Sequence, residues 1–130
     1  MTTALEPGEI LREIRVNKNG THHAYAKMPH PASGFAVVGV AANLIMNGSN
    51  ECQSASIGIT GVSSKAYRAS AVESALKGAS LNDDTIQSAA AHATEGADVN
   101  GDLFASADYR RHLAEVYTRR AIEAATKRTA

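Results

Sequence analysis

Tyr25 and Lys27 stand two residues apart in the stretch THHAYAKM. In extended chain, residues i and i+2 point to the same side. A phenol beside an ammonium can meet an anionic or electron-rich aromatic ligand. The plain alternative is an exposed edge pair, because lysines on edge strands deter strand-to-strand aggregation. On the residue types alone, the edge pair is the better reading. The other reactive side chains offer less. His22, His23, His30, His92 and His112 show no H-x-x-x-H spacing, and Cys52 is the one cysteine, so no metal-ligand set is visible. His22-His23 could line a pocket, but an exposed loop pair is the better reading, and His92 and His112 read as surface or edge residues on helices. Cys52 has neither a base nor a cation near it in sequence and reads as a half-buried structural thiol. Gly34 and Gly39 lie before and within an apolar run rather than at a strand-to-helix turn, so they form no phosphate cradle. Gly39 reads as a point of close backbone packing. Arg110-Arg111 and Arg119-Arg120 are interleaved with Asp108, Glu115 and Glu123, which suits a solvated, ion-paired helix face. Tyr109 and Tyr117 read as core or interface aromatics with a polar tip. No nucleophile–base pair emerges, so no self-contained active site or catalytic residue is assigned, and an independent small hydrolase is disfavoured.

The bulk properties narrow the class further. The 130 residues suit one domain, residues 1–130, large enough to bury a core without disulfides. Lysines and arginines number 13, as do aspartates and glutamates, so charge gives no support for a nucleic-acid or membrane partner. No run reaches transmembrane length and the N-terminus lacks a signal-peptide pattern. With a single cysteine, this predicts a cytoplasmic protein.

The elements that must position Tyr25 and Lys27 follow from pattern. FAVVGVAANLIM, residues 35–46, is the longest apolar run and ends at Asn47-Gly48. Its length, β-branched content and turn predict a buried central strand. Asn-Gly suits a tight hairpin with positive φ, and residues 52–61 return antiparallel with Ala55, Ile57 and Ile59 alternating against Ser54, Ser56 and Thr60. Upstream, Pro7-Gly8 marks a turn. Residues 9–16 read as a first strand with Ile10, Ile14 and Val16 on one face, followed by a turn over residues 17–20. Residues 21–28 read as a short strand ended by Pro29 and Pro31. From Ser70 the period becomes helical. Ser70 and Glu73 form a capping box, with a stop by Gly78. Asn82 caps a second helix, with Leu81 and Ile86 as a hydrophobic staple and Gly96 beyond it. Ser106 caps the longest helix, residues 107–126, with Tyr109, Leu113, Val116, Tyr117 and Ala121 on its inner face and Glu115–Arg119 and Glu123–Lys127 as exposed pairs. The expected fold is α+β: a three- to four-stranded antiparallel sheet, then three helices packed on one face.

Four stretches carry a resemblance in fixed order: LEPGEILREIRV (5–16), AYAKMPHPASGFAVVGVAA (24–42), IGITGVSSKAYRASAVESAL (57–76) and VNGDLFASADYRRHLAEVYTRRAIEAA (99–125). Together they resemble the C-terminal domain of the FAD-binding medium subunit of molybdenum hydroxylases, of the carbon monoxide dehydrogenase type. The resemblance implies the same sheet-plus-three-helix fold, and an accessory role in flavin-site packing and subunit assembly within an electron-transferring oxidoreductase. It implies partners: an FAD-binding chain, an iron–sulfur subunit and a molybdenum subunit. It places Tyr25 and Lys27 in the family's Tyr-x-Lys segment, near the flavin ring. In the family, the glycine-rich segments that hold FAD lie upstream of this domain and do not occur in these residues. The expectation is therefore FAD only with a partner chain and no tight binding alone. The rival expectation is a stand-alone ligand-binding or homo-oligomeric interaction module without redox activity.

Overall fold

The computed structural model describes residues 3–15, 22–49 and 51–128. Four strands precede three helices: β1 His22–Pro29, β2 Ala36–Met46, β3 Cys52–Thr60, β4 Tyr67–Arg68, α1 Ser70–Leu76, α2 Asp83–Ala90 and α3 Ala107–Thr126. The strands form one antiparallel sheet in sequence order. This is the α+β arrangement that the period change predicts.

The central apolar run is β2, flanked by β1 and β3. Alternation divides its side chains between two faces. Val38, Val40, Ala42 and Leu44 are buried on the helix side with Ile57 and Ile59 of β3. α3 lies across β1 and β2, α1 lies against β3, and α2 sits between the other two helices. Burying each large aliphatic side chain contributes roughly 1.5–3 kcal/mol. Alanines 89, 93, 114, 121 and 125 complete this core and let the helices approach closely.

Two helix starts match expectation. The Asn82 side chain accepts from the Thr85 amide at 2.8 Å, and Ser106 Oγ from the Tyr109 amide at 3.2 Å. Leu81 and Ile86 are both buried, as a staple requires. The capping box at Ser70 is not formed. The cap residue is Ala69, without a side-chain bond. Glu73 Oε1 instead accepts from the Ile57 amide at 2.7 Å and Arg68 Nε at 2.6 Å. β4 is only two residues long, so the carboxylate occupies the place where a longer strand would pair with Ile57. Burial of Glu73 would raise its pKa, but the bonds from Arg68 and Ile57 outweigh that and hold it below the ordinary value.

Three further expectations are corrected. Residues 9–15 form no strand; Ile10 and Ile14 are 87% and 77% exposed. Their apolar alternation is real, but no described strand pairs with them. Val16, the turn at 17–20, Thr21 and Asn50 lie outside the described residues. At the β2–β3 connection, Gly48 does not take a positive φ. Asn47 Oδ1 accepts from the Ser49 and Glu51 amides, so a side chain closes a longer loop. Cys52 is fully buried rather than half-buried. Residue parity would place it on the outer face with Ser54, but pairing shifts from Ile45–Ser54 to Met46–Cys52, leaving Gln53 as an extra residue. That bulge turns Cys52 into the core.

Arg110 departs most from the expected solvated face. Its side chain is buried in the first turn of α3. Nη1 donates to the carbonyls of Val37 and Gly61, each at 2.6 Å, and Nη2 to Asp102 Oδ2 at 2.6 Å. One guanidinium thus joins the start of β2, the end of β3 and the loop before α3. Arg111 and Arg119 do form surface ion pairs, with Asp108 and Glu123, rather than through the Glu115–Arg119 and Glu123–Lys127 pairing.

Arg110→Lys should lower unfolding free energy by about 2–4 kcal/mol, because an ammonium cannot span three acceptors in a fork. Urea denaturation measures this, and a change under about 0.5 kcal/mol would contradict the role given to Arg110. Hydrogen bonds from Arg110, then from the Phe104 and Ala105 amides, hold the Asp102 carboxyl below the ordinary value of 3.8. A lowered folded pKa contributes stability that is complete above 3.8 and disappears as pH falls through the lower folded value. Asp102→Asn should therefore be less stable than the wild type at neutral pH, with the gap closing in that acidic window.

Candidate functional site

The sheet face turned away from the helices carries short side chains in register. Along one lane, Tyr25 of β1 pairs with Ala41 of β2, Ala41 with Gly58 of β3, and Gly58 with Arg68 of β4. The neighbouring lanes run His23–Asn43–Ser56 and Lys27–Gly39–Thr60. A tyrosine and an arginine thus stand at opposite ends of a floor made of alanine and glycine. The cavity over this floor has a volume of about 380 Å³, and Asn43, Ser56 and Arg128 also line it.

Tyr25 and Lys27 share the exposed side of β1, as their spacing predicts. The Tyr25 ring leans over Gly39, where any Cβ would collide with its hydroxyl. Gly39 is therefore needed for close approach, but to a side chain rather than to another backbone. Tyr25 remains 57% exposed, so its ring is held against β2 and still accessible. Lys27 Nζ donates to the Gly34 carbonyl at 2.9 Å, which fixes the ammonium at the β1–β2 turn.

Arg68, Asn43 and Arg128 were not singled out by sequence. Arg68 is anchored by Glu73 and donates from Nη2 to Ser56 Oγ at 3.2 Å. Arg128, just past α3, reaches the His23 carbonyl at 3.2 Å. The Asn43 Oδ1 atom is buried without a hydrogen-bond partner. Strand register together with the placement of α3 brings these residues together. Alternation within β2 could have placed Asn43 with Ala41, but it carried no link to Arg68 or Arg128.

The remaining reactive groups stay apart from this face. Burial pushes the Cys52 thiol up, against a smaller lowering by the Ser54 amide, which disfavours a nucleophilic thiolate. Burial also pushes Tyr67 up to about 12, and its hydroxyl donates to the Ala93 carbonyl at 2.9 Å. His30 packs edge-on against Phe104, with ring centroids 4.6 Å apart, and its Nδ1 accepts from the turn amides of Ala32 and Ser33. His92 meets Glu95 at 2.8 Å in the turns after α2. Among the described residues, no group of three metal-ligating side chains gathers, and no helix is long and apolar enough to cross a membrane. The geometry is that of a binding surface: a flat floor, an aromatic ring at one side and fixed cations around it.

The family model described as CO dehydrogenase flavoprotein C-terminal domain matches residues 23–125. The chain belongs to this family. It is 35% identical over 128 residues to the carbon monoxide dehydrogenase medium chain of Afipia carboxidovorans, covering 97% of this chain and 44% of that one. It is 30% identical to the glyceraldehyde dehydrogenase medium chain of Sulfolobus acidocaldarius, covering 94% and 43%. The fold superposes on carbon monoxide dehydrogenase from Hydrogenophaga pseudoflava with a TM-score of 0.86 at 31% identity, covering 99% of this chain and 45% of that one. The chain therefore spans less than half the length of each of these relatives. The family match includes Tyr25, Lys27 and the whole open sheet face.

Two glycine substitutions test the geometry of this face. At Gly39 an added methyl meets the mobile end of a tyrosine, whereas at Gly61 it meets the Val37 carbonyl and the φ is +81°. Gly39→Ala should cost no more than about 1 kcal/mol and swing the Tyr25 ring off β2. Gly61→Ala should cost about 2 kcal/mol or more. Thermal unfolding ranks the two, and a crystal structure of Gly39→Ala locates the ring.

Proposed function

We propose that this chain is the accessory C-terminal domain of a molybdenum-hydroxylase FAD subunit, residues 1–130 acting as one domain. It packs against the flavin site and helps assemble the subunits, without activity of its own. The observation that carries this is the open sheet face in a chain of the flavoprotein family. Tyr25 is held over Gly39 and exposed, beside a floor of Ala41 and Gly58 on which a planar ring could rest. Those features fit one side of a flavin. The glycine-rich cradle for its pyrophosphate does not occur in residues 1–130, so in this proposal these residues hold FAD only together with an FAD-binding chain. FAD held there would supply the redox chemistry between an iron–sulfur subunit, as electron donor, and an external acceptor, in a complex that includes a subunit carrying the molybdenum cofactor. Tyr25 supplies an aromatic surface for the ring, and Lys27 a positive charge near its edge. The cytoplasm is the proposed location.

Co-expression with a separately encoded FAD-binding chain should give a yellow complex that elutes as one species. Flavin that stays free, with the two chains eluting apart, would defeat the proposal. Within the complex, Tyr25→Ala should weaken flavin retention about tenfold, or about 1.4 kcal/mol, while Tyr25→Phe keeps it. Equilibrium dialysis against free FAD measures both.

A second reading, a stand-alone interaction module that assembles with itself, is favoured by one surface. Phe35, Leu103 and Phe104 are largely exposed on two loops flanking a cavity of about 290 Å³. A clean monomer in sedimentation across a wide concentration range would remove it.

A further inference from the structure

The segment preceding the sheet has the residue pattern of a strand but is not assigned as one in the structure. Pro7 and Gly8 occupy the centre of a turn closed by the Glu9 amide on the Glu6 carbonyl at 3.0 Å, with Gly8 at φ +90°. Proline then glycine with positive φ is the pattern of a type II turn. From that fixed turn the chain runs on, and the backbone of residues 10–15 makes no hydrogen bond with another described residue. Ile10, Leu11 and Ile14 are all more than half exposed, and none joins the core.

Alternation sorts these side chains once the segment is extended. Ile10 and Ile14 fall on one face with Arg12 between them. Leu11, Glu13 and Arg15 fall on the other, where Glu13 and Arg15 form an ion pair at 2.6 Å. One face is thus mainly apolar and the other mainly charged apart from Leu11, a pattern that suits a strand buried on one side. Among the described residues the amides and carbonyls of residues 10–15 have no partner, and Ile10 and Ile14 stand outside the core that the helices cover.

The longer relatives indicate what does satisfy them. A match that covers 97% of the chain leaves out about four residues, so it includes residues 5–15. In those relatives this domain is the C-terminal one and more than half of the chain lies outside it. The segment therefore sits between the domain and the remainder of a flavoprotein chain. We propose that residues 9–15 form a docking strand that adds to a sheet edge of the FAD-holding chain, burying Ile10 and Ile14 against it. This rests on the flavoprotein reading above and names the contact that joins the two chains.

Hydrogen exchange on the full chain, alone and with the FAD-binding chain, tests the proposal together with Ile10→Glu/Ile14→Glu. Residues 10–15 should exchange freely in the chain alone and become protected in the complex. The double variant should keep the wild-type melting temperature and bind the FAD chain at least tenfold more weakly. A yellow complex formed equally well by the variant, or one that leaves residues 10–15 unprotected, overturns the docking strand and spares the flavoprotein reading. Protection already present in the chain alone also overturns it, because the segment would then be paired with β1. Failure of the wild type to bind defeats the flavoprotein reading and the docking strand together.

Discussion

One-sided burial of β2 is the constraint from which the rest of this molecule follows. From Val38 to Leu44, every second residue of β2 is a branched aliphatic buried under the helices, except for Ala42. The residues between are Gly39, Ala41 and Asn43. Large side chains on that second face would cover the sheet and leave no floor. Small ones leave it flat, and the tyrosine on β1 gains a place to lie. The same alternation that drives folding therefore also shapes the surface assigned to function.

The joints around this sheet are made by charged groups working inside the fold. Arg110 binds carbonyls from the two ends of the β2–β3 pair and is neutralised by Asp102. Glu73 performs the complementary task, accepting a strand amide and holding Arg68 at the edge of the open face. Both pairs are only partly buried, so their value lies in satisfying backbone groups that would otherwise be orphaned.

What the sequence disclosed was whatever depended on near neighbours. β2, the caps at Asn82 and Ser106, and the shared side of Tyr25 and Lys27 are set by residues within a few positions. Misreadings arose where a distant group intervened. The Ser70–Glu73 pair has the spacing of a capping box, but the carboxylate is claimed by Ile57, sixteen residues earlier. Arg110 looks like a surface residue because its acceptors lie 49 and 73 positions away. Cys52 follows the polar face by parity until a single extra residue reverses it. Residues 9–15 show the opposite problem: a sound strand pattern whose partner is absent from the described structure. At the site, the positions of Arg68, Asn43 and Arg128 depended on register and helix placement, to which no local signal pointed.

The edge beyond β3 has a consequence for assembly. Cys52 exchanges hydrogen bonds with the Gly78 amide and Ala79 carbonyl, Glu51 bridges Ser80, and Ile57 is occupied by Glu73 and Ala69. Added strands find no row of vacant backbone groups on that flank. The opposite flank, at β1, has no further described strand beside it. Among the described residues, the border beyond β3 is therefore closed to a further strand. Fibrillar growth by edge pairing, which requires two free borders on every subunit, is opposed at this border by the turn after α1 and by one glutamate.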